Sequence, residues 1–404
     1  MRSLTFAIKN TRKSLRRSVL TASLVSLGVA CVFLFFTYAG SFKNQIVGQI
    51  TNSAMGHIQI HRQGYVESLD NMPLDKNLNN SESQQILNAI SLQKNITSIS
   101  KRLKFSGLIS NYVTSTNVRL NGVEPLLEMQ TLPALKDRLV SGTFELNENE
   151  VVIPEVVAKG MNLKVGDSVV IVTTNDVGSM NAFNFKVRGI LGLLSGPGGK
   201  DGYVNLKDAQ KLLRAEDGTI NEIVLRTKSL DELKSNTNSV IQNLKNAGLT
   251  SLEVHTWEKL SPFTNISKII DVLNLSVQIV LISLVLISIL NIMIMGVYER
   301  IVEIGTLSAI GVAAKYIASV FIWEGVIIGL SGLIGGFIFS LLVIKLGGNF
   351  YISFGQQQDI LLSPEFHLKD ALFISGLVIL VSIFAALYPA LKAARMKPVD
   401  ALRG

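Results

Sequence analysis

Four long apolar runs dominate the pattern of hydrophobic and polar positions, and one long mixed segment separates the first run from the second. Each run has about the 20 residues that a helix needs to cross the hydrocarbon core of a membrane. The predicted spans are residues 19–40, 269–296, 317–346 and 371–391. The pattern therefore predicts a membrane α-helical protein with four transmembrane helices and a large domain, residues 41–268, inserted between spans one and two.

The composition agrees with this pattern. Of the 404 residues, 48% are hydrophobic and 17% are charged, and the mean hydropathy is +0.38, which is too apolar for an ordinary soluble protein. The net charge of +8 comes with no basic stripe that carries interleaved aromatic residues, so we expect no nucleic acid partner. The single cysteine, Cys31, excludes an intrachain disulfide and a thiolate metal cluster.

Basic residues beside the spans predict the orientation of the chain. Six of them precede the first span: Arg2, Lys9, Arg12, Lys13, Arg16 and Arg17. By the positive-inside rule they place residues 1–18 in the cytoplasm, and the span is too long for a signal peptide core, so we expect a retained anchor. The inserted domain and the loop at residues 347–370 are then outside, while residues 297–316 and the tail, residues 392–404, are cytoplasmic.

The inserted domain has the pattern of an α+β fold. Strand, helix and strand patterns near its start and again near its end predict a βαβ subdomain, residues 41–120 and 218–268, with an inserted β-rich subdomain, residues 121–217. The first strand carries His57 and His61 on its polar side. No cysteine and no clear third ligand accompany them, so we interpret them as a solvated strand face rather than a metal site.

No segment has the pattern of an active site. The glycine-rich run at residues 195–201 resembles a phosphate loop only superficially, because Asp201 stands where that motif needs serine or threonine. We interpret the run as a flexible surface loop. The chain also lacks a nucleophile elbow and a zinc-binding H-E-x-x-H motif, so we expect neither catalysis nor a metal site.

The segment between spans two and three is amphipathic. As a helix it places Ile301, Ile304 and Leu307 on one face and Glu299 and Glu303 on another. One face can lie against membrane helices, and the other is a candidate contact for a soluble partner.

The third span carries glycines at helical spacing and one carboxylate. The glycines line one helical face and permit close backbone approach: Gly325, Gly329, Gly332 and Gly336. The pattern leaves open whether they pack against a second subunit or against helices of the same chain. Glu324 lies near the predicted cytoplasmic end, which favours snorkelling to the interface over a proton relay.

Several short motifs resemble the FtsX-type permeases of ABC transporters. Residues 303–305 (Glu-Ile-Gly) and 309–311 (Ala-Ile-Gly) are similar to the coupling helix of that family. Residues 388–395 with 397–403 resemble its C-terminal signature, and residues 16–21 resemble its N-terminus. The order and spacing of the motifs extend the resemblance over nearly the whole chain.

The inserted domain resembles the periplasmic core of the MacB and lipoprotein-releasing branches of this family. The motifs at residues 56–60, 121–125, 166–167 and 180–190 look more like the lipoprotein-releasing branch. The resemblance therefore implies a bacterial inner-membrane permease with a large periplasmic domain.

The resemblance implies a permease that is not an enzyme and holds no cofactor. ATP and magnesium would be bound by a separate cytoplasmic ABC ATPase dimer, and rigid helices would transmit its movement across the membrane. The ATPase-coupling residues would be Glu299, Arg300, Glu303, Ile304, Gly305, Ala309, Ile310 and Gly311.

In the lipoprotein-releasing branch two permease subunits act as a homodimer or heterodimer. Acylated lipoprotein cargo would enter a cavity between spans one and two and pass to a periplasmic carrier. The candidate cavity residues are Phe33, Phe35, Phe36, Phe42, Ile46, Ile269, Val272, Leu273 and Leu275. Lipid contact or core packing explains each of these apolar residues equally well.

Two other functions stay open. The first is a MacB-like exporter of periplasmic peptides or small molecules. The second is an FtsX-like regulator that transports nothing and activates cell-wall hydrolases; the large inserted domain argues against it.

Overall fold

The computed structural model describes residues 4–7, 15–91, 93–192, 201–261, 264–347, 350–352, 360–362, 364 and 368–396. Most of the glycine-rich run, four of the six basic residues before span one and the tail beyond residue 396 lie outside these ranges. The described residues divide into two compact units. We call residues 45–267 the sheet domain, and the helices of residues 15–44, 268–347 and 368–396 the membrane unit.

The helices are, in chain order, α1 (Leu15–Ile50), α2 (Asn80–Ile90), α3 (Pro125–Thr131), α4 (Glu155–Gly160), α5 (Leu206–Leu213), α6 (Leu233–Asn246), α7 (Trp257–Leu260), α8 (Thr264–Glu299), α9 (Ile301–Ala309), α10 (Ala314–Gly347) and α11 (Leu368–Ala394). Within the described residues, four of them, α1, α8, α10 and α11, are long and apolar enough to cross a membrane. The predicted set of four membrane helices is therefore confirmed.

The strands are β1 (Ile58–Arg62), β2 (Ile96–Ser110), β3 (Ser115–Val123), β4 (Leu139–Gly142), β5 (Glu150–Pro154), β6 (Ser168–Thr174), β7 (Met180–Leu191), β8 (Asp201–Asn205), β9 (Glu222–Thr227), β10 (Leu252–Thr256), β11 (Phe350–Ile352) and β12 (Ile360–Leu362). Ten described strands form one sheet in the order β10-β1-β9-β2-β3-β8-β5-β7-β4, with β6 pairing β2 and β7. This α+β domain lies between the first and second apolar helices in the chain, as predicted.

The long strand β2 connects the two halves of the sheet. Its first half pairs antiparallel with β9, and its second half pairs with β3 and β6. The sheet therefore continues through the part of the chain that the sequence assigns to an insertion, and the division at residues 121 and 217 stays a prediction.

Local sequence signals explain where the helices of the sheet domain begin. At the start of α2, the Asn79 side chain accepts a hydrogen bond from the Glu82 amide, and the Glu82 carboxylate accepts one from the Asn79 amide. This reciprocal pair satisfies two backbone donors that would otherwise be unpaired. At α5, the Asn205 side chain accepts a hydrogen bond from the amide of Lys207 in the same way.

Glycines bring the helices of the membrane unit close together. A methyl group at Gly325 would meet Ala386 of α11, and one at Gly329 would meet Ser382. One at Gly336 would lie 2.6 Å from the Ser26 carbonyl oxygen of α1. The fourth glycine of the face, Gly332, packs against Val25 of α1. The glycine face thus packs within the same chain, which the sequence left open.

The interpretation of His57 and His61 as a solvated strand face is wrong. Both side chains are buried, because β1 is an inner strand between β10 and β9 and its polar side is covered. The His61 ring stacks on the buried ring of Tyr65 at 4.8 Å, and its Nε2 lies 3.1 Å from a Glu222 carboxylate oxygen. Among the described residues, no group of three or more histidine, cysteine or acidic side chains is arranged to hold a metal ion.

A buried charged cluster joins β2, β9 and α3. The Arg102 guanidinium donates to the carboxylates of Glu128 at 2.9 Å and Glu222 at 2.8 Å, and all three side chains are buried. The Lys104 ammonium lies 2.7 Å from the second Glu222 oxygen. Burial alone would raise the pKa of Glu222, but Lys104 and Arg102 outweigh it and hold that pKa well below its usual value. Glu222 is therefore ionised, and basic side chains of the cluster balance its charge.

We expect His57 to make the sheet domain sensitive to acid. Burial, followed by the charge of Arg226, lowers the pKa of His57 from 6.5 to about 4, and its Nδ1 accepts a hydrogen bond from the Thr227 amide. Between pH 6.5 and 4 the unfolded chain binds a proton that the folded chain does not, so stability falls as the pH is lowered. Between pH 6.5 and 4, the free energy of unfolding of the His57→Gln variant should therefore fall by about 1 to 3 kcal/mol less than that of the wild type.

The measurement is chemical unfolding of the full chain at several pH values in a Trp323→Phe background, so that the tryptophan fluorescence comes from Trp257, which is buried in the sheet domain. Other titrating groups are common to both proteins, so the difference between the two profiles isolates His57. Identical pH profiles for the wild type and the variant would contradict this account.

Candidate functional site

The segment between the second and third apolar helices folds as a separate short helix. Helix α8 ends at Glu299, Arg300 leaves helical geometry with φ −110° and ψ 21°, and α9 runs from Ile301 to Ala309. After α9, Gly311 adopts φ +84°, a conformation that glycine tolerates best. There the Val312 amide donates to the Leu307 carbonyl at 3.1 Å, which closes the helix C-terminus.

One face of α9 is buried in the membrane unit. Ile304 is only 3% exposed and Gly305 is buried, while Leu307 is partly buried against the same apolar core as Val297 of α8. The contacts agree with the apolar face expected from the sequence. Ile304 and Gly305 therefore hold α9 against the other helices of the chain.

The opposite face of α9 is exposed. Five of the eight predicted coupling residues are exposed: Glu303 and Ala309 on α9, Glu299 at the end of α8, and Ile310 and Gly311 directly after α9. Ile310 is the most apolar of them and is 73% exposed. The structure therefore presents two carboxylates and one isoleucine on α9 and on the residues that flank it, and the chain itself holds this helix in place.

Arg300 occupies a different position from the other predicted coupling residues. Its guanidinium Nη1 lies 3.3 Å from a Glu324 carboxylate oxygen of α10, and the two side chains are only 19% and 12% exposed. The ion pair explains how Glu324 is accommodated inside an apolar span. Their pairing was missed from the sequence, although an arginine directly after span two and a carboxylate inside span three together could have indicated it.

The candidate cavity residues occupy several environments. Phe33 is buried in the membrane unit with its ring 5.5 Å from that of Phe337, and Phe36 packs against the same core. Ile46 packs on the core of the sheet domain. Phe35 and Phe42 are partly buried. The remaining four residues all lie on α8 and are more than half exposed: Ile269, Val272, Leu273 and Leu275.

An ion pair joins α1 and α8 beside these residues. The Lys43 ammonium lies 2.7 Å from one carboxylate oxygen of Asp271 and 2.8 Å from the other. Both side chains keep contact with solvent, so the pair contributes at most about 1 kcal/mol to stability. It shows that the two helices lie within side-chain reach of each other at this level.

Four apolar helices, a domain between the first and second of them and a short helix after the second indicate an integral membrane protein. The model of the MacB-like periplasmic core domain matches residues 18–242, and the model of the FtsX-like permease C-terminal domain matches residues 275–398. The chain therefore belongs to the family of ABC transporter permeases that carry these two domains.

Individual relatives agree with this family. The chain is 33% identical over 101 residues to the lipoprotein-releasing system transmembrane protein LolC of Haemophilus influenzae, a match that spans a quarter (25%) of each protein. It is 21% identical to LolC of Neisseria meningitidis over 94% of this chain and 92% of that relative. It is 36% identical to the macrolide export ATP-binding/permease protein MacB of Bdellovibrio bacteriovorus, over 29% of this chain and 17% of that relative.

Two solved structures are similar to the chain at low identity. The periplasmic region of MacB from Actinobacillus actinomycetemcomitans is 16% identical with a TM-score of 0.37, over 53% of this chain and 95% of that one. The extracellular domain of the transporter YknZ from Gram-positive bacteria is 15% identical with a TM-score of 0.34, over 49% of this chain and 98% of that one. At these scores neither likeness carries a conclusion about this protein.

Proposed function

We propose that this chain is the permease subunit of an ATP-driven transporter and that the exposed face of α9 docks a separate ABC ATPase. The observation that carries the proposal is the arrangement of α9, with Ile304 buried in the chain and Glu303 and Ile310 facing outward. A surface of this kind offers carboxylates for polar contacts and one apolar anchor for a partner groove. Membership of the ABC permease family supports a partner ATPase.

The proposed mechanism is movement of helices that α9 connects. Closure of an ATPase dimer would push α9, and the push would pass to α8 and α10, between which α9 lies in the chain. In this scheme the permease lies in the bacterial inner membrane as a homodimer or heterodimer. Both termini and α9 are then cytoplasmic, and the sheet domain is periplasmic.

The proposed cargo is an acylated lipoprotein, released from the membrane to a periplasmic carrier. Relatives named as lipoprotein-releasing proteins support this cargo, since one of them matches over 94% of the chain whereas the MacB relative matches over 29%. The exposed apolar residues of α8 supply a surface on which acyl chains could pack. Each methylene group of an acyl chain that is buried there contributes roughly 0.8 kcal/mol of binding free energy, so contact along several methylene groups would hold the chain.

The cargo is tested by ATP turnover of the purified transporter in lipid nanodiscs. We expect stimulation by an acylated lipoprotein and none by the same protein without its acyl chains, because the apolar surface binds the lipid part. Leu273→Ser with Leu275→Ser should weaken the stimulation at least fivefold. The matched double variant Ile334→Ser with Ile338→Ser changes two residues of α10 that are similarly exposed. It should leave the stimulation unchanged.

Stimulation by soluble peptide alone would contradict lipoprotein release and favour a MacB-like exporter. An equal loss of stimulation in the α8 and α10 double variants would contradict the proposal that the cargo binds on α8.

A further inference from the structure

Arg300 is the single residue between α8 and α9, and its side chain reaches α10. It leaves helical geometry, so the chain can turn there, and its guanidinium contacts Glu324 at 3.3 Å. All three helices that meet at this point belong to the membrane unit. The ion pair therefore spans the junction at which α9 begins.

The surroundings of the Arg300–Glu324 ion pair strengthen the attraction between its charges. With 19% and 12% of their side chains exposed, Arg300 and Glu324 are largely shielded from water. Shielded charges attract each other more strongly than surface charges do, and each would be costly to leave without its partner. Two contacts on the same side of α9 reinforce the link, because Ile304 and Gly305 are buried one turn further along.

A second polar contact ties the end of α8 to α11. The Lys392 ammonium donates to the Tyr298 hydroxyl at 2.7 Å and lies 4.8 Å from the centre of its ring. Lys392 and Tyr298 are exposed, so this contact is weaker than the Arg300 pair. Together the two contacts join the end of α8 to the eleventh residue of α10 and to the last turn of α11, around the start of α9.

We propose that Arg300 is a positioning residue, which locks α9 to α10 through Glu324 so that a push on α9 moves α8 and α10 together. The inference rests on the proposed function and gives Arg300 a role inside the permease instead of a contact with the ATPase. Without the link, α9 pivots at the Arg300 turn, and the ATPase stays bound while its stroke is not passed on.

A charge exchange tests this role. In the transporter, Arg300→Glu and Glu324→Arg should each keep the co-purified ATPase within about twofold of wild type, but lower cargo-stimulated ATP turnover at least tenfold. The double variant Arg300→Glu with Glu324→Arg restores the pair with its charges reversed, so it should recover most of the stimulation. Lys345→Glu makes the same charge change at the far end of α10 and should change nothing.

A double variant that carries neither charge distinguishes a loss of coupling from a failure to fold. Arg300→Gln with Glu324→Gln leaves no unpaired charge, so it should insert and fold as the wild type does, yet it should be uncoupled like the single variants. Full stimulation in this neutral pair would overturn the proposal. Loss of the bound ATPase from a folded Arg300→Glu protein, with no recovery in the charge exchange, would also overturn it and would return Arg300 to the docking surface.

These outcomes are separate from a failure of the proposed function. If the wild-type permease itself retains no ATPase, the docking proposal fails before Arg300 is changed.

Discussion

Replacing Arg102 with methionine should destabilise the sheet domain by about 3 to 5 kcal/mol, the cost of breaking a buried ion pair from one side. The guanidinium lies between the carboxylates of Glu128 and Glu222, neither of which is exposed to water. Methionine fills part of the volume but leaves both carboxylates short of positive charge. Lys104 and His61 still contact Glu222, so we expect the larger part of the cost to come from Glu128.

The matched control is Lys101→Met, one residue earlier on the same strand. Lys101 pairs with Glu124 at 2.8 Å, but the two side chains are 24% and 42% exposed, and the loss of such a pair changes stability by about 1 kcal/mol or less. Chemical unfolding followed by the fluorescence of Trp257, in the same Trp323→Phe background, measures the stability of both variants. Equal unfolding free energies for the two would contradict the structural role of the buried cluster.

The spans and the short helix could be predicted because the membrane imposes a strong pattern on the sequence. A run of about 20 apolar residues has few other uses, and the change to an amphipathic period marks α9. The helices nevertheless extend beyond the predicted spans, as α1 does by continuing to Ile50. Hydropathy detects the apolar part of a helix, whereas hydrogen bonding continues into its polar ends.

Side-chain partners that are distant in sequence could not be predicted. The alternation around His57 and His61 correctly indicated a strand, but period two identifies only which residues share a side. It does not indicate that Tyr65 and Glu222 cover that side, since Glu222 lies 161 residues away from His61. The same limit applies to Arg300, whose partner Glu324 lies 24 residues away in α10.

The contacts of the glycines of α10 could be predicted only in part. Their spacing predicted a close helix contact, and close contacts are present. The spacing could not say which helix approaches, because a helix of the same chain and one of a second subunit make the same demand for small residues.

Glu303→Lys should reduce the amount of bound ATPase at least tenfold, which corresponds to about 1.4 kcal/mol or more of binding free energy. Glu303 is exposed in the first turn of α9, so its replacement leaves the buried face with Ile304 unchanged. The helix itself loses a favourable charge near its N-terminus, which costs about 0.3 to 1 kcal/mol. Loss of the partner would therefore report on docking rather than on folding.

Glu258→Lys supplies the control for this variant. Glu258 is also exposed, and it also lies in the first turn of a short helix, α7 of the sheet domain. It makes the same charge change at a place where we expect no ATPase.

The most direct test of the docking helix is quantitative co-purification of the ATPase with the wild type, Glu303→Lys and Glu258→Lys permeases at equal membrane levels. The account predicts wild-type amounts of ATPase on Glu258→Lys and a loss of tenfold or more on Glu303→Lys. Wild-type amounts of active ATPase on Glu303→Lys would contradict the claim that the outer face of α9 is where the ATPase docks.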